Sequence, residues 1–330
     1  MQSVRLGTSG LKVSRLCLGT MTFGVQVDEA GAIAILDAAH ESGIDFIDTA
    51  DVYPLGGDLT TVGRTEEIIG RWLKGRRSSF IVATKCAGQM GAKPFQGGNS
   101  RKHIMDAVDA SLRRLGTDYI DLYQLHRYDP EVPIEETLQV LNDLVHVGKV
   151  RYIGVSNFLA YQLARAQGVA RTYGLTPFSS VQPRYNLLFR EFERELFPLC
   201  KLDGTGVISY NPLAGGMLTG KHQRLSPPTP GTRFTLGSAQ GMYQQRYWND
   251  RAFDAVEAIG KVAQSLGISS TTLALAWVLH NPVITAPIVG ASAPGQLRDS
   301  VAALGVALDD EILGRLDGIS HQFRYGDADR

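Results

Sequence analysis

Eight times along this chain a short strand-like run is followed by a longer stretch with helical spacing, and this alternation limits the available folds more than any other feature. The strand-like runs are SRLCLG, IDFIDT, FIVATK, DLYQLH, VRYIGV, SSVQP, GVISY and TAPIVG. Between them helices are predicted over Asp28 to Ser42, Thr65 to Leu73, Ile104 to Leu115, Ile134 to Val147, Ala160 to Tyr173 and Glu191 to Leu202. Asp254 to His280 follows in two pieces, then Pro294 to Leu304 and Asp309 to Ile319. Parallel strands need crossover connections, so regular alternation predicts a parallel sheet. A length of 330 residues suits closure of that sheet into a (β/α)8 TIM barrel. An N-terminal β-hairpin over Val4 to Val13, turned by Gly7 and Gly10, and extra C-terminal helices complete the expected fold, one domain over residues 1–330. A doubly wound sheet fits less well, because LGTMTFG after the first strand lacks the G-x-G-x-x-G spacing of a dinucleotide turn.

Composition narrows the functional classes. Lys plus Arg and Asp plus Glu both number 33, so no net field draws nucleic acid or anionic lipid. The pairs Arg76-Arg77 and Arg113-Arg114 read as solvated helix ends. The N-terminal stretch does not resemble a signal peptide, and no apolar run reaches the length of a membrane span. Cys17, Cys86 and Cys200 are too few and too scattered for a disulfide framework or a zinc site. Buried, reduced cysteines and a cytoplasmic location are expected, and no metal site is predicted.

In a barrel of this kind chemistry gathers at the C-terminal ends of the strands. The second strand ends at Asp48 with Tyr53 just beyond, the third at Lys85 and the fourth at His126. The fifth runs into Ser156 and Asn157, the sixth into Gln182, the seventh into Tyr210 and Asn211. Singly, each has an ordinary explanation: a helix cap, a snorkelling lysine, a satisfied histidine. Together they point to a shared mouth. A phenol is a weak acid, with an ordinary pKa of about 10, and a neighbouring ammonium lowers that value. Tyr53, Lys85 and Asp48 form such a set, and His126 can hydrogen-bond a substrate oxygen. The set lacks a nucleophile with an adjacent base. It suits proton donation to a carbonyl oxygen while hydride arrives at carbon, and a cofactor must supply the hydride. Asp51 reads as a local turn or cap. Gly215 to Lys221 imitates a phosphate loop, but His222 stands where a magnesium-binding Ser or Thr would be, which argues against a nucleotide triphosphatase.

The motifs DTADVY, ATK, LYQLH, GVSNF, VQPRYN, SYNPLAGGMLTGK and GASAPGQL, in this order, resemble the aldo-keto reductases, particularly a bacterial branch similar to the potassium-channel β-subunits. The resemblance implies Tyr53 as general acid, Lys85 and Asp48 as its activating pair, and His126 orienting a small-molecule carbonyl substrate. It also implies an NADP(H) site. Ser156, Asn157 and Gln182 would hold the nicotinamide carboxamide, Tyr210 would stack on its ring with Asn211 adjacent, and Thr20, Met21 and Asp48 would lie near the ribose. Leu213, Leu218 and Gly220 would approach the pyrophosphate, with Lys221 and Arg233 adding charge. Gly290, Ser292, Gln296 and Ser300 fall on adenosine-phosphate positions, and Arg298 would pair with the 2′-phosphate; Ser292 reads equally as a helix N-cap. The chain departs from the pattern where relatives carry a base at Gly290 or Gln296, and where many carry asparagine at Ser300.

The loop PLGGDLTTVG after Tyr53 is longer than in relatives. It is expected to border the substrate, as are Tyr128, Phe158, Tyr243, Tyr247 and Trp248, unless these aromatics only pack the long segment from His222 to Asp250 onto the barrel. A second reading from the same resemblance is a non-catalytic NADP(H)-binding partner of another protein.

Overall fold

Period-two alternation in the strands builds both the core and the site. In the computed structural model, which describes residues 1–326, β1 (Ser3–Arg5) and β2 (Lys12–Ser14) pair antiparallel as the expected hairpin. The next strands are β3 (Cys17–Gly19), β4 (Phe46–Asp48), β5 (Ile81–Cys86) and β6 (Ile120–Leu125). They continue with β7 (Val150–Ser156), β8 (Ser180–Gln182), β9 (Gly206–Val207) and β10 (Ile288–Gly290). Their order in the sheet is β10-β3-β4-β5-β6-β7-β8-β9, every neighbouring pair parallel. The ends meet. The Ile288 N–H donates to the Ser209 carbonyl at 2.8 Å, and Val207 forms a parallel bridge with Ile284, closing a (β/α)8 barrel.

Along each strand alternate side chains point inward. Cys17, Phe46, Ala83 and Leu122 form an apolar inner layer with Ile208, Ala286 and Ile288. Leu6 and Val13 of the hairpin complete this cluster and stopper the N-terminal end of the barrel. The stopper is held by a close approach: the Thr8 N–H donates to the Gly204 carbonyl at 2.8 Å, and a Cβ on Gly7, whose φ is +57°, would lie 2.3 Å from that oxygen. Two residues further along the inward faces stand Asp48, Lys85, Gln124 and Gln182, so polarity begins where the barrel opens. The outward faces, including Leu18, Ile47, Val82, Ile153 and Val181, pack against the helices. Each such aliphatic side chain contributes about 1.5–3 kcal/mol on burial.

The helices are α1 (Glu29–Glu41), α2 (Arg64–Leu73), α3 (Arg101–Leu115), α4 (Ile134–His146), α5 (Ala160–Tyr173) and α6 (Leu196–Asp203). They are followed by α7 (Gln240–Tyr247), α8 (Asp250–Ser265), α9 (Ser270–His280), α10 (Leu297–Ala302) and α11 (Asp310–Ser320). Local caps set several starts: Asp28, Ser100, Asn249, Ser269 and Asp309 each accept a first-turn N–H. The extra pair is α8 with α11. No single helix among the described residues is long and apolar enough to cross a membrane.

Several expectations change. The helix expected over Glu191 to Leu202 is a short turn at Glu191–Glu193 followed by α6, because Pro198 has no N–H to give the preceding turn. The Asn249 cap starts α8 at Asp250 rather than Asp254. Arg77 and Arg114 are not solvated ends: they reach Asp121 at 2.6 Å and Glu66 at 2.7 Å. Asp51 caps nothing. It is fully buried, and its N–H donates to the Lys85 carbonyl at 3.1 Å. Burial, and then repulsion from Glu66, pushes its pKa well above the carboxylate range. All three cysteines are free and buried, as expected.

Candidate active site

At the open end of the barrel the Lys85 Nζ donates to Asp48 Oδ1 at 2.5 Å, to the Thr49 carbonyl at 2.8 Å and to Tyr53 Oη at 3.4 Å. Asp48 Oδ2 accepts from Gln182 Nε2 at 2.8 Å and Gln124 Nε2 at 3.1 Å. The carboxylate is thus saturated, and its orientation fixes the ammonium. The Tyr53 and His126 rings meet edge to face with centroids 5.7 Å apart. Asp48, Tyr53, Lys85 and His126, drawn from three separate strand ends, therefore form one cluster.

The electrostatics differ from the expectation for Tyr53. Burial raises the phenol above its ordinary pKa, and the lowering by Lys85 does not cancel this. Burial depresses the Lys85 ammonium, but Asp48 and Tyr53 more than offset it, so the net shift is upward and the group stays charged. Burial, then repulsion from Lys85 and Arg127, pushes His126 down to about 3, leaving a neutral imidazole.

The cluster sits at the floor of a cavity of about 1070 Å³. Its lining includes Thr20, Met21, Asp48, Tyr53, His126, Ser156, Asn157, Gln182, Tyr210, Asn211, Leu213, Lys221, Arg233, Gly290, Ser292, Gln296 and Ser300. Lys85 lies just beneath the surface. Three expected contacts do not line it. Leu218 is buried in the core and Gly220 ends the turn behind it. Arg298 is exposed on α10, off the face that carries Gln296, Asp299 and Ser300 to the cavity. Ser292 is no N-cap: its own N–H donates to Gln296 Oε1 at 2.9 Å.

A dinucleotide fits these residues. Asn157, with φ +57°, donates from Nδ2 to the His126 carbonyl at 2.9 Å and accepts from Tyr210 Oη at 2.9 Å, tying three strand ends together. Asn211 Oδ1 accepts from the Gly215 N–H at 2.6 Å and holds the start of a glycine turn. Gly215 and Gly216 there have φ of +70° and +100°, and a Cβ on Gly215 would meet the Tyr243 ring at 2.6 Å. Such a turn with Lys221 and Arg233 beside it is a cradle for phosphate.

Sequence reading missed part of the site. Gln124, two residues before His126, was not assigned although it donates to Asp48 beneath the cavity. Gln26, Arg127, Asp299, Met242 and Arg246 were also unassigned. The last two ride on α7, announced in the sequence only by Tyr243 and Tyr247 at i and i+4. Pro54 to Gly57 border the cavity, as does Tyr243, whereas Tyr128, Phe158, Tyr247 and Trp248 do not. Tyr128 packs on Phe158 at 5.3 Å, and Trp248 on Phe234 at 5.0 Å.

A closed parallel barrel with this phenol, ammonium, carboxylate and imidazole at its C-terminal mouth has the form of a barrel oxidoreductase. The chain belongs to the aldo/keto reductase family, whose model matches residues 15–321. It is similar to an uncharacterized oxidoreductase, YrpG, of Bacillus subtilis, 39% identical over 97% of this chain and 96% of the relative. A putative aryl-alcohol dehydrogenase of Schizosaccharomyces pombe is 36% identical over 94% of this chain and 93% of its own length. A putative voltage-gated potassium channel subunit beta of the same yeast is 37% identical over 95% and 92%.

Proposed function

We propose that this protein is a cytoplasmic NADP(H)-dependent reductase acting on the carbonyl of an aldehyde, ketone or sugar-like substrate, with Tyr53 as general acid. The observation that carries this reading is the Tyr53 hydroxyl 3.4 Å from an ammonium that Asp48 fixes, edge-on to His126. NADPH, when bound along this lining, would supply the hydride for the carbonyl carbon. Tyr53 gives its proton to the carbonyl oxygen, yielding the alcohol, and Lys85 stabilises the phenolate left behind. The neutral His126 imidazole hydrogen-bonds the same oxygen and selects its orientation. Three buried, unpaired cysteines accord with a reducing compartment.

The relative named as an aryl-alcohol dehydrogenase supports alcohol–carbonyl interconversion, and the one named as a channel subunit supports a regulatory partner as second reading. The complete tetrad favours the enzyme. Consumption of NADPH with a panel of aldehydes tests it; no consumption with any of them overturns it. The reduction rate should stay level from neutral pH upward and fall only above about 10, the ordinary phenol value, because the Tyr53 pKa is raised. A limb near neutrality would contradict that assignment.

For the cofactor, Arg298 outside the cavity and Asp299 on its lining favour NAD(H) as an alternative, since a carboxylate suits a free 2′-hydroxyl. We assign NADP(H) from the family resemblance as a whole, with Ser292, Gln296 and Ser300 on the cavity lining although Gln296 and Ser300 depart from the family pattern. Fluorescence titration should give a tighter Kd for NADPH than for NADH; the reverse order would move the assignment to NAD(H).

A further inference from the structure

Four cationic side chains line the cavity: Arg127, Lys221, Arg233 and Arg246. Lys221 and Arg233 flank the glycine turn and belong with the dinucleotide; Arg233 is further tied to Gln26 Oε1 at 2.6 Å. Arg127 and Arg246 have no such duty. Among the described residues neither guanidinium makes a hydrogen bond or an ion pair within the protein. The acids on the described lining are Asp48, already saturated by Lys85, Gln124 and Gln182, and Asp299, at the adenosine end on α10. Away from the adenosine end the lining therefore carries more positive than negative charge.

Both arginines are anchored by their backbones on the lining of this cavity, Arg127 next to His126 and Arg246 near Tyr210 and Tyr247. Arg127 directly follows His126; its carbonyl accepts from Asn99 Nδ2 at 2.9 Å, and the His126 carbonyl accepts from Asn157 Nδ2 at 2.9 Å. Arg246 stands one helical turn beyond Met242 and Tyr243 on the cavity face of α7. The neighbouring Tyr247 is buried, with Asn186 Nδ2 donating to its hydroxyl at 3.2 Å and Asn211 Nδ2 at 3.1 Å, so this helix is pinned over the mouth. Two guanidinium groups without internal partners at a half-enclosed mouth draw in anions and bind carboxylate or phosphate through paired hydrogen bonds.

We infer that the physiological substrate is an anion: the carbonyl compound carries a carboxylate or phosphate away from its reacting carbon, and Arg127 and Arg246 hold that group. This rests on the reductase reading above and adds a substrate class to it.

The test compares matched pairs with the NADPH-loaded enzyme: succinic semialdehyde against butanal, and glyceraldehyde phosphate against glyceraldehyde. The anionic member should have a kcat/KM higher by roughly tenfold or more, mostly through KM, as charged hydrogen bonds imply. That ratio should fall toward one in Arg127→Met and in Arg246→Met, with an intermediate value in Arg127→Lys. The pair with the larger ratio identifies carboxylate or phosphate. Equal efficiencies within both pairs would overturn the anion site while leaving the reductase standing. Absence of NADPH consumption with all four compounds would instead overturn the reductase. Calorimetric titration of succinate and glycerol phosphate then decides the anion site without turnover: binding lost in the methionine variants supports it, and no binding, or equal binding in all variants, removes it.

Discussion

Tyr53→Phe is expected to lower the rate of carbonyl reduction about 10²- to 10⁴-fold, the usual range for a positioned general acid. The substitution deletes one hydroxyl and leaves the ring, its edge contact with His126 and its place over Lys85 intact. Cofactor affinity, followed by fluorescence, should therefore be retained, and melting should be little changed. The deficit should appear in kcat and kcat/KM together, the pattern of an interaction made in the transition state. Equal rates in the two proteins would take Tyr53 out of the chemistry and move attention to His126.

Lys85→Met should be damaging in two separable ways. Lys85 is fully buried and Asp48 is 3% exposed, so removing the ammonium strands a carboxylate in the interior. Breaking a buried pair from one side costs about 3–5 kcal/mol, to be read as a lower urea midpoint at unchanged slope. Activity should also be lost, because the phenolate formed by proton transfer has no counter-charge. The double variant Lys85→Met/Asp48→Asn separates the two effects: stability should recover substantially while reduction stays absent. A single variant as stable as the parent would mean that Asp48 is held by Gln124 and Gln182 without need of the ammonium.

These residues were legible in the sequence for a definite reason. Asp48, Lys85 and His126 stand at strand ends, where barrel geometry brings them together whatever the intervening helices contain, and the polar-after-apolar pattern marked them. Tyr53 lies five residues past Asp48 and follows it to the same rim. Positions fixed by tertiary packing were not legible. Asp51 does lie in a turn, but the sequence did not show that its carboxyl is buried beside Glu66, which accepts from Thr84 Oγ1 at 2.5 Å and pairs with Arg114. Helix α7 escaped because QGMYQQRY has a glycine and no apolar stripe; buried Tyr243 and Tyr247, packed from outside, hold it. Arg298 was read as a phosphate ligand from its charge, whereas the angular step between neighbours on α10 turns it away and presents Asp299 instead.

The hairpin stopper closes the N-terminal end of the barrel, so the described cavity opens at the opposite mouth. On the proposed reading the dinucleotide and the carbonyl compound share that cavity, so both would enter and leave across the same rim. Leu6 and Val13, packed at the opposite end, would thereby decide from which side both molecules are loaded.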